Sequence, residues 1–281
     1  MDLVSQTWRC FDLDITDRVA HVRLSRPDEL NTMVPEFWSE LPEIVTRISD
    51  EATARAVVIS STGRHFSAGM DLSVFAGEKD TTAEPGRRHA ELRSRAKRLQ
   101  WSFTALEKAR MPILTAVQGG CIGGAVDLVT AADLRYASAD AWFCVMEINI
   151  GMTADVGTLQ RLGKVIPEGV ARELAYTGRR MSAERAYEVG LVQEVFADHD
   201  SLVAGVLETA AEIASKSPLA IWGTKVAMNF ARDHSVDDGL DQIATWQAGM
   251  FQPADMVESF TAKAEKRDPV FPDLLPEPTG I

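Results

Sequence analysis

The sequence predicts an α/β fold built from a repeating unit of two strands and a helix and closed by an all-helical tail. Three features carry that prediction. Short apolar or β-branched runs recur through the first two thirds of the chain, each about the length of a strand. Amphipathic stretches of helical period separate them. Beyond about Asp198 the strand pattern stops and three helical patterns follow one another, dividing the chain into residues 1–198 and 199–281.

Cys10 to Ser25 alternates polar and apolar residues around Asp17-Arg18, the pattern of two short strands joined by a tight turn. Pro35 to Ile48 carries apolar residues at helical spacing, with Pro35 where a first turn tolerates it. Ala54 to Ser60 and Ile113 to Gln118 read as buried strands. Between them Arg87 to Lys108 is a long, charge-rich helix, and Asp80 to Gly86, with no apolar period, is expected to be a mobile loop bordering a binding site. Leu134 to Ser138 and Leu191 to Phe196 are further short strands. Ser201 to Lys216, Pro218 to Arg232 and Val236 to Met250 are the tail helices, the second opened by Ser217-Pro218 as cap and first turn. Trp222, Phe230, Trp246 and Phe251 give this tail a large apolar surface to bury, against its own core or another chain. Pro269 to Pro278 reads as extended.

A chain of 281 residues with 46% apolar and 25% charged side chains has the make-up of a globular protein with a substantial core. Its net charge of -12 argues against a nucleic-acid or anionic-membrane surface, since either needs basic residues to replace counterions. The densest basic cluster, Arg87, Arg88, Arg93, Arg95, Lys97 and Arg98, reads as a solvated helix face, with a site for a phosphorylated ligand as the alternative. Three scattered cysteines, Cys10, Cys121 and Cys144, make neither a disulfide framework nor a metal site. With no leader, no membrane-length apolar run and no peroxisomal ending, a soluble cytoplasmic protein is expected.

Three carboxylates stand out because their surroundings carry no other charge. Asp127 is the only charged residue from Met111 to Ala132, and Glu147 and Asp155 are the only two from Ala141 to Gln160. Loss of hydration disfavours the ionised form and raises a carboxyl's pKa toward neutrality, so such groups suit acid and base work. Two glycine-rich segments accompany them. His65-Phe66-Ser67-Ala68-Gly69-Met70-Asp71-Leu72 and Gln118-Gly119-Gly120-Cys121-Ile122-Gly123-Gly124-Ala125-Val126-Asp127 each run from a strand through small residues into a helix. Free N–H groups at such turns can hold an oxyanion. Neither segment has the spacing of a phosphate loop or a dinucleotide fingerprint. His65, His89, His199 and His234 have no plausible partner in sequence and read as surface groups.

Together these segments resemble the crotonase, or enoyl-CoA hydratase/isomerase, family over almost the whole chain. Arg26-Pro27-Asp28-Glu29-Leu30-Asn31 resembles its segment beside the CoA adenine, and the tail its trimer-forming region. The stretch from Glu147 to Leu162 is most similar to the Δ3,5-Δ2,4-dienoyl-CoA isomerases, whose aspartate, glutamate and second aspartate match Asp127, Glu147 and Asp155. The resemblance implies a spiral of ββα units followed by a helical trimerisation region. It implies isomerisation of a 3,5-dienoyl-CoA to a 2,4-dienoyl-CoA in fatty acid β-oxidation, with no cofactor beyond the CoA of the substrate. The N–H groups of Ala68 and Gly124 would hold the thioester oxygen. Glu147 would act as base at C2 and Asp155 as acid at C6, with Asp127 tuning the pair. Glu29, Leu30, Ser67, Gly69, Met70, Asp71, Leu72 and Gly120 would line the substrate, and the protein would assemble as a homotrimer or homohexamer. Two departures are Ala125, where those isomerases carry glycine, and Asn149, where they often carry an acid.

A hydratase of the same fold is the closest rival, because Asp127 and Glu147 sit where hydratases keep two glutamates around a water. Asp155 separates the two, since a hydratase has no need of a carboxylate there. A non-catalytic RNA-binding or scaffold member is a third reading, opposed by the acidic composition and the three retained carboxylates. A metal enzyme has no His/Cys cluster to build on.

Overall fold

The computed structural model describes residues 3–75, 84–251 and 253–278. The chain opens with β1 (Phe11–Thr16) and β2 (Val19–Leu24), an antiparallel pair whose two turn residues, Asp17 and Arg18, both have positive φ. That geometry matches the twist of the flanking strands. Next come α1 (Phe37–Asp50), β3 (Ala56–Ser61), α2 (Pro85–Lys108), β4 (Ile113–Val117), β5 (Gly120–Ile122) and α3 (Gly124–Ala131). The chain continues through β6 (Leu134–Ser138), β7 (Trp142–Cys144), α4 (Thr158–Val165), α5 (Glu168–Thr177), β8 (Met181–Ser182), α6 (Ala183–Glu188) and β9 (Glu194–Phe196). It closes with α7 (His199–Ala214), α8 (Pro218–Ala231), α9 (Val236–Met250) and α10 (Pro253–Glu265). Short 3-10 turns at Pro27–Glu29, Leu72–Phe75 and Glu147–Ile150 interrupt the connections.

The main sheet has the order β1-β2-β3-β4-β6-β9, parallel from β2 onward, and a smaller sheet has the order β5-β7-β8. β3 and β4 are buried on both faces, as their largely apolar runs require. Successive residues face opposite cores: Val57, Ile59, Ile113 and Val117 join the cluster with α1, α2 and α3, while Ala56, Val58, Leu114 and Ala116 meet Leu202, Val206 and Ala210 of α7. α7 is therefore part of the core although it begins at the boundary read from sequence. α8, α9 and α10 leave Met228, Val236, Leu240, Met256, Val257 and Phe260 exposed.

Pro42 sits inside α1 and leaves the carbonyl of Trp38 without its helical donor. The buried Ser102 hydroxyl of α2 donates to that carbonyl at 2.8 Å, turning a helix defect into an interhelical tie. Lys225 of α8 is likewise buried and donates to Leu106 O, Met111 O and Asp133, satisfying all three of its protons against the core. The extended tail is held by two buried arginines. Arg55 donates to Ala214 O, Phe271 O and Asp273, and Arg110 to Leu275 O. Of the loop expected at Asp80 to Gly86, residues 80–83 lie outside the described residues, and Pro85 and Gly86 open α2 with Glu84 as its cap.

Candidate active site

The two glycine-rich segments meet side by side. Ser67 N–H donates to Gly120 O and Ile122 N–H donates to Ser67 O, both at 3.1 Å. Met33 bridges the next residues in the same parallel manner, donating to Gly69 O at 2.8 Å and accepting from Asp71 N–H at 3.2 Å. In a parallel pairing the residue between two such bonds turns its own N–H away, so the Met70 amide points off the Met33 strand. Among the described residues neither the Met70 nor the Gly124 N–H has an acceptor. The two are neighbours, since a Cβ built on Gly124 would lie 3.8 Å from Met70 N.

This geometry corrects one assignment made from sequence. Ala68 N–H already donates to Leu30 O at 3.0 Å and is not free to hold an oxyanion. The free pair is Met70 with Gly124. Gly69 makes their approach possible: its φ is +85°, and a Cβ there would stand 2.5 Å from Ile122 O and 3.4 Å from Gly124 N. Gly69→Ala is expected to cost about 2 kcal/mol of stability through this strain and to lower any oxyanion-dependent rate about 100-fold. Denaturant unfolding and steady-state kinetics on the one variant measure both.

The three carboxylates come from separate elements. Asp127 lies in the first turn of α3, is 1% exposed, and accepts a 2.5 Å hydrogen bond from Thr158 N–H at the start of α4. Burial, reinforced by the charge of Glu147, pushes its carboxyl up to about 7, against the lowering effect of the Thr158 bond and the Arg161 charge. Glu147 opens the 147–150 turn. Its Oε2 is buried without a partner among the described residues, and its Oε1 lies 3.2 Å from where a Cβ on Gly123 would stand. Burial raises this carboxyl too, helped by the charge of Asp155. The three acids thus form one electrostatic chain, Asp127 to Glu147 to Asp155. The third link departs from expectation: Asp155 is exposed, because the uncharged stretch before it is turn and loop that leaves Ile148, Ile150 and Met152 at the surface.

Several residues expected to line a ligand have their polar atoms engaged internally. The Ser67 hydroxyl is buried, donates to Asn31 O at 2.8 Å and accepts from Gly69 N–H. Asp71 accepts from Ser73 N–H and the Thr32 hydroxyl, bonds that hold its carboxyl below the usual range. Gly120 N–H donates to His65 Nδ1 at 2.9 Å, and the Trp142 ring covers Gly120. Glu29 and Leu30 are exposed, Glu29 paired with Arg26 at 3.7 Å, and Leu72 begins the 72–75 turn. Asn149 donates to Gly178 O, so the residue replacing an acid ties the 147–150 turn to the end of α5. His65 is not a mere surface group, since it latches the two glycine segments together. Its acceptor role was hidden in sequence because its donor is a main-chain N–H 55 residues away.

The family model described as enoyl-CoA hydratase/isomerase matches residues 14–274. The chain is 44% identical over 253 residues to the mitochondrial Δ3,5-Δ2,4-dienoyl-CoA isomerase of Mus musculus, covering 89% of this chain and 77% of that protein. It is 39% identical to the peroxisomal Δ3,5-Δ2,4-dienoyl-CoA isomerase of Arabidopsis thaliana, covering 91% and 93%. Its fold superposes on the crystal structure of an enoyl-CoA hydratase from Bacillus anthracis with a TM-score of 0.84, at 30% identity and with 94% and 99% covered. The compartments in these names overturn the cytoplasmic expectation: the isomerase relatives are mitochondrial or peroxisomal. That expectation leaned on the scarcity of cysteines, which does not separate one disulfide-poor compartment from another. The fold, the paired glycine segments and these likenesses agree that the chain belongs to the enoyl-CoA hydratase/isomerase family, with a crotonase fold.

Proposed function

We propose that this protein isomerises a 3,5-dienoyl-CoA to the 2,4-dienoyl-CoA by moving one proton equivalent from C2 to C6. The observation that carries the proposal is the third carboxylate, Asp155, coupled through Glu147 to Asp127. The relatives named as dienoyl-CoA isomerases at 39–45% identity support it. The thioester oxygen lies between the N–H groups of Met70 and Gly124, which stabilise the negative charge that develops there. Glu147 takes a proton from C2, the charge spreads along the conjugated system, and Asp155 returns a proton at C6. The double bonds move to C2 and C4 without gain or loss of atoms. Exposure of Asp155 lets solvent restore its proton while Glu147 releases the one it took.

The chemistry uses no cofactor, as CoA enters with the substrate. The segment around Glu29 and Leu30 takes the nucleotide end, and Gly69, Met70 and Leu72 border the acyl thioester. Assembly as a homotrimer, or a hexamer of two trimers, is supported by the exposed Met228, Val236, Leu240, Phe251, Val257 and Phe260 of the last helices and their flanks. Purified protein given 3,5-octadienoyl-CoA is expected to generate the long-wavelength absorbance of a 2,4-dienoyl thioester. Hydration of crotonyl-CoA with no diene product overturns the proposal in favour of a hydratase. Salt-sensitive RNA binding without acyl-CoA turnover overturns it in favour of a non-catalytic member.

A further inference from the structure

We infer that Arg161 is a positioning residue that governs two acids at once, shaping the loop that carries Asp155 and presenting a cation to the buried Asp127. The inference rests on the proposed isomerase reading for its kinetic consequence alone. Arg161 stands in the first turn of α4, where a cation opposes the helix dipole and helix stability gives no reason for one. Its side chain is only 11% exposed. Nη2 donates to Glu107 at 2.7 Å and to the Thr104 hydroxyl at 3.2 Å, both on α2, and Nη1 reaches Val156 O at 3.5 Å. Glu107 is equally shielded and binds Arg232 through its other oxygen. Replacing a buried ion pair by well-packed apolar side chains is often neutral or stabilising, so stability alone does not account for this one.

What the guanidinium does is carry the loop from Thr153 to Gly157. Gly157 has φ +141°, and a Cβ there would fall 1.8 Å from Arg161 Nη1, so the backbone lies directly on the guanidinium. Two residues earlier, Asp155 O accepts from Gln100 Nε2 of α2 at 2.8 Å. The Asp155 backbone is thus held between α2 on one side and Arg161 on the other. Arg161 follows by one helical turn Thr158, whose N–H donates to Asp127 at 2.5 Å, and its charge lowers that carboxyl against the raising effect of burial and of Glu147 from the 147–150 turn, while Asp127 in turn raises the Cys121 thiol of β5. Of these, Arg161 is the one full positive charge. Glu107, the counterion of Arg161, stays paired to Arg232 when Arg161 is replaced.

Arg161→Met and Arg161→Lys separate the two duties. In resting protein without substrate, the Asp127 carboxyl followed by infrared or carbon-13 titration is expected to move about one pH unit upward in Arg161→Met, which loses the cation, and to stay near its original midpoint in Arg161→Lys. Both variants are expected to lose at least about tenfold in kcat with KM within about threefold, because an ammonium cannot span Glu107, Thr104 and Val156 O together. Near-ultraviolet circular dichroism confirms that each is folded, and Arg161→Lys serves alone if Arg161→Met is not. An Asp127 midpoint unmoved in folded Arg161→Met, or kcat within twofold of the parent in a folded variant, overturns the inference. A protein that turns over no diene overturns the isomerase reading instead, and the substrate-free titration still decides whether Arg161 acts on Asp127.

Discussion

Glu147→Gln is expected to slow diene isomerisation by about 10²–10⁴-fold, the usual contribution of a general base, and to stop exchange of the C2 protons with deuterated water. The reason lies in the environment of Glu147. Its Oε2 is buried with no hydrogen-bond partner among the described residues, and burial together with the charge of Asp155 raises its proton affinity. A carboxylate so placed accepts a carbon-bound proton more readily than one in water. As pH falls through the raised value the base is lost, so the acid limb of the rate profile is expected above the ordinary glutamate value of 4.5. Asp155→Asn gives the discriminating contrast. It is expected to block delivery at C6 and abolish product while C2 exchange runs on, since in the proposed mechanism Glu147 and the two amides form the dienolate without it. Loss of exchange in Asp155→Asn with its retention in Glu147→Gln would reverse the two roles.

Asp127→Asn is expected to stabilise the protein above neutral pH. The folded carboxyl titrates at about 7 and the unfolded one near 3.8. Between those values the native state holds a proton that the unfolded state has released, so stability falls as pH rises through this window. Above about 7 the native carboxylate is ionised and the full penalty stands. The gap corresponds to about 4 kcal/mol, of which the neutral amide recovers a large part while its oxygen still accepts from Thr158 N–H. The gain in urea unfolding is expected to be about 2–4 kcal/mol at pH 8, shrinking by about 1.4 kcal/mol for each pH unit below 7. A destabilised or pH-independent variant would show that the carboxylate is held ionised at little cost.

Much of this architecture was legible in the sequence because burial imposes period. β3 and β4 announce themselves as short, largely apolar runs, and α9 spans Val236–Met250 as its pattern predicts. The smaller sheet was not legible, since β5 and β7 are three residues long and β8 two, too short for any alternation to register. The fourth tail helix, α10, also escaped. At the site, uncharged surroundings located Asp127 and Glu147 correctly as desolvated acids but misjudged Asp155, because apolar neighbours in sequence need not be neighbours in space. The misplacement of an oxyanion donor at Ala68 has a similar cause. Which amide in Ser67-Ala68-Gly69-Met70 stays free depends on register against Met33 and Leu30. Arg161, His65 and Gln100 each bind a partner 54 or more residues away, which sequence proximity does not reveal.

The arginine clamps on the extended tail bear on how the molecule is made. Arg55 and Arg110 flank β3 and β4, in the first half of the chain, yet two of the carbonyls they bind, Phe271 O and Leu275 O, stand 216 and 165 residues further along. A buried guanidinium without its acceptors is strongly unfavourable. Until the segment holding Phe271 and Leu275 docks, the centre of the sheet therefore keeps one unsatisfied flank, so completion of β3 and β4 waits on contacts with a long loop to close.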